Sequence, residues 1–330
     1  MNHLYIVTHT DLDGVGAAAA VIRILDRVNG GYTTIYAEPY NVHEKLESIA
    51  DHAEKGDLVV VTDLGPNRNS FKQAVETVEN MTRRGVRVEW IDHHIWSGED
   101  LQALEAAGAR VWVDRNTCAT GAVVRHLPRS HGTLADDYLL ELERVVCSAD
   151  LWRWDHHLST RLFRILGGEY NGDEWRDKVL DKLARGILWD GELEERLQDY
   201  VTRELQGFNR VQATVYTVAS RGCRVSAATK GRGPPANSLI GAMLLARYQA
   251  DIAVIVRGNG GISLRSRGVN VQPVATKLGG GGHPYASGAR IPIPFHVRLA
   301  SRIYPKALSW YAARIVYKAA VDVGVCGGSA

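Results

Sequence analysis

With 330 residues, of which 45% are apolar, the chain can bury an ample core, and its length suggests two domains more than one. No stretch approaches the roughly 18 to 20 continuous apolar residues of a membrane span, and the N-terminus has neither a basic leader nor a small-residue cleavage site, so the cytoplasm is the expected location. The formal charge of +2 conceals a division: from Val211 onward 15 Lys or Arg stand against only Asp251 and Asp322, whereas the first 210 residues hold 24 basic and 35 acidic side chains. A carboxylate-rich part suited to divalent metal is followed by a basic part suited to a polyanion.

The opening strand, "LYIVTH", runs into His9, Asp11 and Asp13, and "GAAAAVIRILDRV" follows as a helix. "YTTIYAEPY" reads as a strand, "VHEKLESIADHAEK" as a helix, and "DLVVVTDLG" as a buried strand ending in Asp63 and Gly65. After the helix "SFKQAVETVENMTRRG" comes "VRVEWIDHH", a strand whose end carries Asp92, His93 and His94. Strands separated by helical patterns predict βαβ units and a mainly parallel sheet, in which sites form beyond the carboxyl ends of the strands. From about Thr120 to Leu205 the pattern is mainly helical, with Asp150 on or just after a helix and "LEERLQDYVTRELQ" as a connecting helix.

Near Val211 a second region begins, a smaller α/β domain with a mixed sheet. "VQATVYTVAS" and "CRVSAAT" read as paired strands, "NSLIGAMLLARY" as a helix, "ADIAVIVRG" and "GISLRSRG" as strands across a glycine turn, and "GGGGHPYASGARI" as a glycine loop. "SWYAARIVYKAAV" is a helix packed on either domain, and "GVCGGSA" is expected to fray. Cys118, Cys147, Cys223 and Cys326 form no CxxC pair and read as buried thiols. The expected division is 1–195 metal-binding catalytic domain, 196–210 linker helix, 211–300 substrate-binding domain, and 301–330 C-terminal helix and tail.

His9, Asp11, Asp13, Asp63, His93 and Asp150 combine carboxylate oxygens with imidazoles, a mixture that suits manganese better than a thiolate-loving ion, with magnesium, cobalt or zinc as alternatives. Taken singly, Asp11, Asp13 and Asp63 also read as turn residues or helix caps; their recurrence at successive strand ends favours metal. Two adjacent ions need a shared ligand, and Asp63 is the expected bridge. Gly280, Gly281 and Gly282 let backbone N–H groups converge on a ligand, with His283 beside them, although a flexible glycine turn has the same composition. Asn237 reads as a helix cap or as a base or sugar contact.

"THTDLDG", "VTDLG", "IDHH" and "SAD" resemble, in order, the four motifs of the DHH phosphoesterase family, and "GGGGHPYASG" is similar to the glycine-histidine signature of the DHH-associated domain found in RecJ-like nucleases, nanoRNase-type oligoribonucleases and cyclic-dinucleotide phosphodiesterases. The resemblance implies a manganese-preferring hydrolase with one ion on His9, Asp11 and Asp63 and a second on Asp13, Asp63, His93 and Asp150. It places Asp92 behind the histidine pair as an orienting carboxylate. It sets His94 toward the scissile phosphate, to stabilise its charge or protonate a leaving oxygen. "SLRSRG" looks like the family's arginine-serine segment, with Arg265 as the substrate contact, Ser266 assisting, and Arg267 an equal candidate because period-two alternation shares its face with Arg265. A second "DHH", Asp155, His156 and His157, has no motif role in the resemblance and reads as a helix surface or domain contact, with an auxiliary substrate contact as the lesser reading.

The function expected is two-metal hydrolysis of short single-stranded oligonucleotides to mononucleotides, with nucleoside bisphosphate as an added substrate and a homodimer as the family-based state. The alternatives are a RecJ-like single-strand exonuclease, disfavoured by the short chain after the glycine motif, a stand-alone cyclic-dinucleotide phosphodiesterase, and a catalytically silent nucleotide-binding protein.

Overall fold

The computed structural model describes residues 3–167, 172–220 and 222–326. The chain divides into two compact units, Met1–Leu197 and Gln198–Ala330. The first alternates β1 (Leu4–His9), α1 (Leu12–Ile24), β2 (Tyr32–Ala37), α2 (Val42–Ala50), β3 (Leu58–Thr62), α3 (Phe71–Arg83), β4 (Arg87–Asp92), α4 (Gly98–Ala106) and β5 (Arg110–Val113). Helices α5 (Ala119–His131), α6 (Asp137–Asp150), α7 (Ser159–Leu166) and α8 (Asp173–Ala184) follow.

The five strands lie in the order β2-β1-β3-β4-β5 and every neighbouring pair is parallel. The helical spacers dictate this, since parallel neighbours require a crossover long enough to hold a helix. Side chains alternate between faces: Leu4, Ile6 and Val60 join the core under α1, α5 and α6, whereas Val7, Val59, Val61 and Trp90 join the core under α2 and α3. Burial on both faces explains why β3 reads as the unbroken run Leu-Val-Val-Val-Thr. α4 and β5 are elements that the sequence pattern did not announce; β5 is only four residues long and half-exposed.

The unit boundary falls within α9 (Gly191–Ala213). The second unit then holds β6 (Tyr216–Ser220), β7 (Cys223–Thr229), α10 (Asn237–Arg247), β8 (Ile252–Val256), β9 (Gly261–Ser266), α11 (Gln272–Lys277), β10 (Gly281–His283), β11 (Ala286–Arg290), α12 (Phe295–Ala300) and α13 (Ala307–Asp322). Its six-stranded sheet runs β10-β11-β9-β8-β7-β6 and is mixed: β7 and β8, joined through α10, are parallel, and the other pairs are antiparallel. α13 packs on this sheet, against β6, β7 and β8.

Three expectations are corrected here. The cysteines are not free thiols: Cys118 is bonded to Cys147 and Cys223 to Cys326, pairs 29 and 103 residues apart that no local spacing reveals. The second bond anchors the tail as far as Cys326; residues 327–330 of the segment expected to fray lie outside the described residues. The glycine loop is in part a β-hairpin, β10 and β11, at the edge of the sheet. Gly282 has φ 134° and a Cβ there would lie 2.7 Å from Ser287 Cα, so glycine is required by the close approach of the two hairpin strands.

Candidate metal centre

From β1 the chain crosses to β2 on one side and then returns to β3 on the other, so the loops leaving β1 and β3 diverge and open a crevice at the carboxyl end of the sheet. His9 closes β1, Asp63 follows β3, Asp92 closes β4, and Asp150 is the last residue of α6. Asp11 is the N-cap of α1; its Oδ1 accepts the N–H groups of Asp13 and Gly14, each at 3.1 Å. The cap reading of Asp11 and the ligand reading are therefore compatible, because Oδ2 is left for other work.

The side chains converge as two adjoining groups. In one, His9 Nδ1 lies 3.1 Å from Asp11 Oδ2 and 3.6 Å from Asp63 Oδ2. In the other, His93 Nε2 lies 3.4 Å from Asp63 Oδ1, 3.8 Å from Asp13 Oδ2 and 3.8 Å from Asp150 Oδ2. Within each of the sets His9, Asp11, Asp63 and Asp13, His93, Asp150, the ligand atoms all fall within 4.8 Å of one another. Asp63 faces both groups, one oxygen to each.

Asp63 is 3% exposed, sits at φ 56°, a region unusual for a side chain other than glycine or asparagine, and its Oδ2 is buried with no hydrogen-bond donor. A buried, undonated carboxylate oxygen is costly. A divalent cation would satisfy it, and the surrounding oxygens and imidazole nitrogens are the donor set that magnesium, manganese and similar ions accept. The titration behaviour fits the same crowding. Burial, then the charges of Asp63 and Asp150, push the Asp13 carboxyl well up. Burial and Asp63 raise Asp150 to about 7. Burial opposes protonation of His93, and the carboxylates of Asp63, Asp13 and Asp150 overturn it, raising its pKa to about 10.

Behind these groups lies a supporting layer that sequence reasoning largely missed. Glu38, just past β2, has Oε2 3.3 Å from His9 Nε2, and its Oε1 accepts the Thr10 hydroxyl at 2.8 Å. With a cation in place, this carboxylate would keep the proton on Nε2 and free the Nδ1 lone pair of His9 for the metal; without one, the cost of burial is overcome by Asp11, Asp63 and Glu38, which hold His9 protonated. Asp13 is gripped by the N-terminus of α5: Oδ2 accepts Ala119 N–H at 2.7 Å, and Oδ1 accepts Thr120 N–H at 2.9 Å and the Thr120 hydroxyl at 2.8 Å. Under the strand ends, the buried Thr62 hydroxyl donates to Thr8 Oγ1, which donates to Gly14 O.

Asp92, expected behind both histidines, serves His94. Its Oδ1 lies 2.9 Å from His94 Nδ1, and Oδ2 accepts His94 N–H at 3.2 Å and the Trp96 indole at 2.7 Å. His94 thus carries its Nδ1 proton toward Asp92 and presents Nε2 outward. Gly65 lies beside it, and a Cβ there would stand 2.9 Å from His94 Cβ.

In the second unit Arg265 is half-buried on β9, donates to Leu264 O and has its pKa lowered by that burial. The Ser266 hydroxyl is spent on Val269 O. β9 ends at Ser266, so strand alternation does not reach Arg267, which is exposed in the following bend. Asn237 is not the cap of α10; Ala236 holds that position, and Asn237 donates to Ser263 Oγ at 3.1 Å while its Oδ1 is buried and unpaired. Gly281, Gly282 and His283 are exposed along β10, with Gly280 just before it.

The second DHH triplet is not a helix surface. It lies in the turn between α6 and α7, where Asp155 and His156 both give their N–H groups to Ser148 Oγ and His156 Nε2 lies 3.0 Å from Glu141 Oε1.

Comparison with known proteins places this geometry. Residues 3–149 match the DHH family, N-terminal domain, and residues 235–302 match the DHHA1 domain. The chain is a DHH-family protein with a DHHA1 domain, a metal-dependent phosphoesterase of the nuclease and phosphodiesterase type. It is 26% identical over 301 residues to oligoribonuclease NrnB of Bacillus subtilis (strain 168), spanning 88% of this chain and 73% of that protein. Its fold is similar to RecJ in complex with Mn2+ from Thermus thermophilus, with TM-score 0.59 and 15% identity over 97% of this chain and 52% of that one, so the chain spans about half of that RecJ. An exopolyphosphatase-related protein from Bacteroides fragilis gives TM-score 0.56 and 13% identity over 95% of this chain and 93% of that one. Among the described residues no helix is long and apolar enough to cross a membrane.

Proposed function

We propose that the chain hydrolyses short single-stranded oligonucleotides to mononucleotides with two divalent cations, manganese preferred. One cation would be held by His9, Asp11 and Asp63, the other by Asp13, Asp63, His93 and Asp150. The observation that carries the reading is the division of the two Asp63 oxygens between the two groups, at 3.6 Å from His9 Nδ1 and 3.4 Å from His93 Nε2. Bound cations supply charge neutralisation at the phosphate and lower the pKa of an attacking water.

The chain's own groups do the rest. Glu38 and Asp92 hold the rings of His9 and His94 by one nitrogen each, which would leave Nδ1 of the first for a cation and Nε2 of the second for the substrate. As the water oxygen bonds to phosphorus and the ester P–O bond breaks, His94, protonated on both nitrogens because the cost of burial is overcome by Asp92, would give its Nε2 proton to the leaving oxygen and keep the one on Nδ1. Arg265, Arg267, Asn237 and the Gly280–His283 segment belong to the basic second unit, and we assign them to the phosphates and sugars of the substrate; Ser266, buried and bound to Val269 O, would shape the end of β9 beside Arg265. The name of the Bacillus relative supports the short-oligonucleotide substrate.

The test is a time course with manganese on labelled dinucleotides, cyclic dinucleotides, a long single strand, a nucleoside bisphosphate and pyrophosphate. Fastest turnover of dinucleotides to mononucleotides is expected. Preferential, processive shortening of the long strand would replace this reading with a RecJ-like exonuclease, and faster opening of cyclic dinucleotides would make it a cyclic-dinucleotide phosphodiesterase.

A further inference from the structure

We propose that Trp152 is the platform on which a nucleobase of the substrate stacks, an inference that rests on the nucleotide-hydrolysis reading above. α6 ends at Asp150, and the next turn carries two tryptophans in a conformation that bulky side chains avoid: Trp152 at φ 59° and Trp154 at φ 58°. Such residues persist only where the surroundings over-determine them, and they concentrate at functional sites.

The surroundings here are unusually complete. Trp152 N–H donates to Ala149 O at 3.1 Å, and the N–H groups of Arg153 and Trp154 both donate to Ser148 O at 2.9 Å. The hydroxyl of the same serine accepts Asp155 and His156 N–H, and His156 is tied back to Glu141. The second DHH triplet therefore finds a use: it anchors this turn to α6.

The two indoles are treated differently. Trp154 packs on the core of the first unit and meets Phe163 edge-on, ring centroids 5.2 Å apart. Trp152 leans on Trp154 at 4.8 Å and remains 43% exposed, beside Leu151 at 37%. A residue needed only for the core would have been covered. Instead a strained and well-fastened backbone holds a large aromatic surface in solvent, two residues from Asp150 and so at most about 7 Å of chain from a group facing His93. Every base has a π-face, so an indole there recognises nucleotides without selecting a sequence.

The experiment measures KM and kcat of the wild type and of W152A, W152L and W152F on a dinucleotide and on the same dinucleotide stripped of its bases. The wild type is expected to prefer the base-bearing substrate in KM. In W152A and W152L, KM for the base-bearing substrate should rise roughly 5- to 100-fold and the preference for bases should collapse, with W152F restoring most of it. Leucine keeps apolar volume without a π-face, so the L and F variants decide the matter even if the alanine variant folds poorly. An unchanged base-bearing to abasic KM ratio in W152L overturns the platform. If the wild type turns over neither substrate, the hydrolysis reading fails instead. Anisotropy binding of a non-hydrolysable dinucleotide analogue then still decides stacking: equal affinity for W152L and W152F overturns it, and tighter binding by W152F upholds it.

Discussion

Asp63 Oδ1 and His93 Nε2 approach to 3.4 Å across the ends of β3 and β4, while the other oxygen of the same carboxylate turns to His9. Asparagine tolerates the left-handed backbone that Asp63 adopts, so Asp63→Asn removes charge and a ligand oxygen with little backbone penalty. We expect a folded protein whose kcat at saturating manganese falls about 10³-fold or more. Wild-type turnover in this variant would end the two-cation reading.

Glu38 acts through His9, so Glu38→Gln should show mainly as a loss of metal affinity. A drop of about 10- to 100-fold in manganese binding is expected by calorimetry, with kcat largely recovered at high metal concentration. Unaltered affinity would reduce Glu38 to a loop anchor for Thr10.

Gly65→Ala places a methyl group 2.9 Å from His94 Cβ and must push the imidazole away from its position over Asp92. Displacement on the scale of an ångström costs about 10²-fold in kcat. His94 adjoins the cation groups, its Nδ1 4.0 Å from Asp63 Oδ1, but that nitrogen is engaged by Asp92, so manganese stoichiometry measured on the same preparation should stay at the wild-type value; a lost cation would make His94 a ligand instead.

The metal-free protein should lose stability as pH rises. Asp150 has a folded pKa of about 7 against an ordinary 3.8, so the native state holds a proton that the unfolded chain releases, and stability falls through that window. His93, raised to about 10 from 6.5, contributes fully below 6.5 and loses that contribution as pH climbs to about 10. Divalent cations take the place of these protons, so the rise in Tm on adding manganese should be larger near pH ~8 than near pH ~5.5. Calorimetric scans at both values check the sign.

The Cys118–Cys147 bond joins the residue before α5, whose first N–H groups grip Asp13, to α6 one turn before Asp150. Closing a loop of 29 residues stabilises by about 3–4 kcal/mol in the chain-entropy account. Replacing both cysteines with alanine should lower Tm and weaken manganese binding together; a lower Tm with intact metal affinity would confine the bond to a purely structural role.

Much of this centre was legible because its chemistry sits at the ends of elements with clear periodicity. β1, β3 and β4 announce themselves as apolar runs, and the polar residues that stop them, His9, Asp63 and Asp92, are by the same token the ones placed at the crevice. Glu38 was not legible, since an acid after a strand looks like any loop acid until its distance to His9 is known. Thr120 and the cysteine pairs depend on contacts 107, 29 and 103 residues apart. β10 was hidden for another reason: its three residues, Gly-Gly-His, have no strand propensity of their own, and pairing with β11 alone makes them a strand. For Arg267 the sequence argument does not hold, since the alternation invoked for it stops one residue earlier, at the end of β9.

The grip of α5 on Asp13 has a practical corollary for anyone wishing to transplant this centre into another scaffold. Three of the hydrogen bonds on that carboxylate come from Ala119 and Thr120, more than a hundred residues downstream, so they define which lone pair stays open to a cation. A graft of the strand tips without that helix start would carry the right side chains and let the aspartate swing.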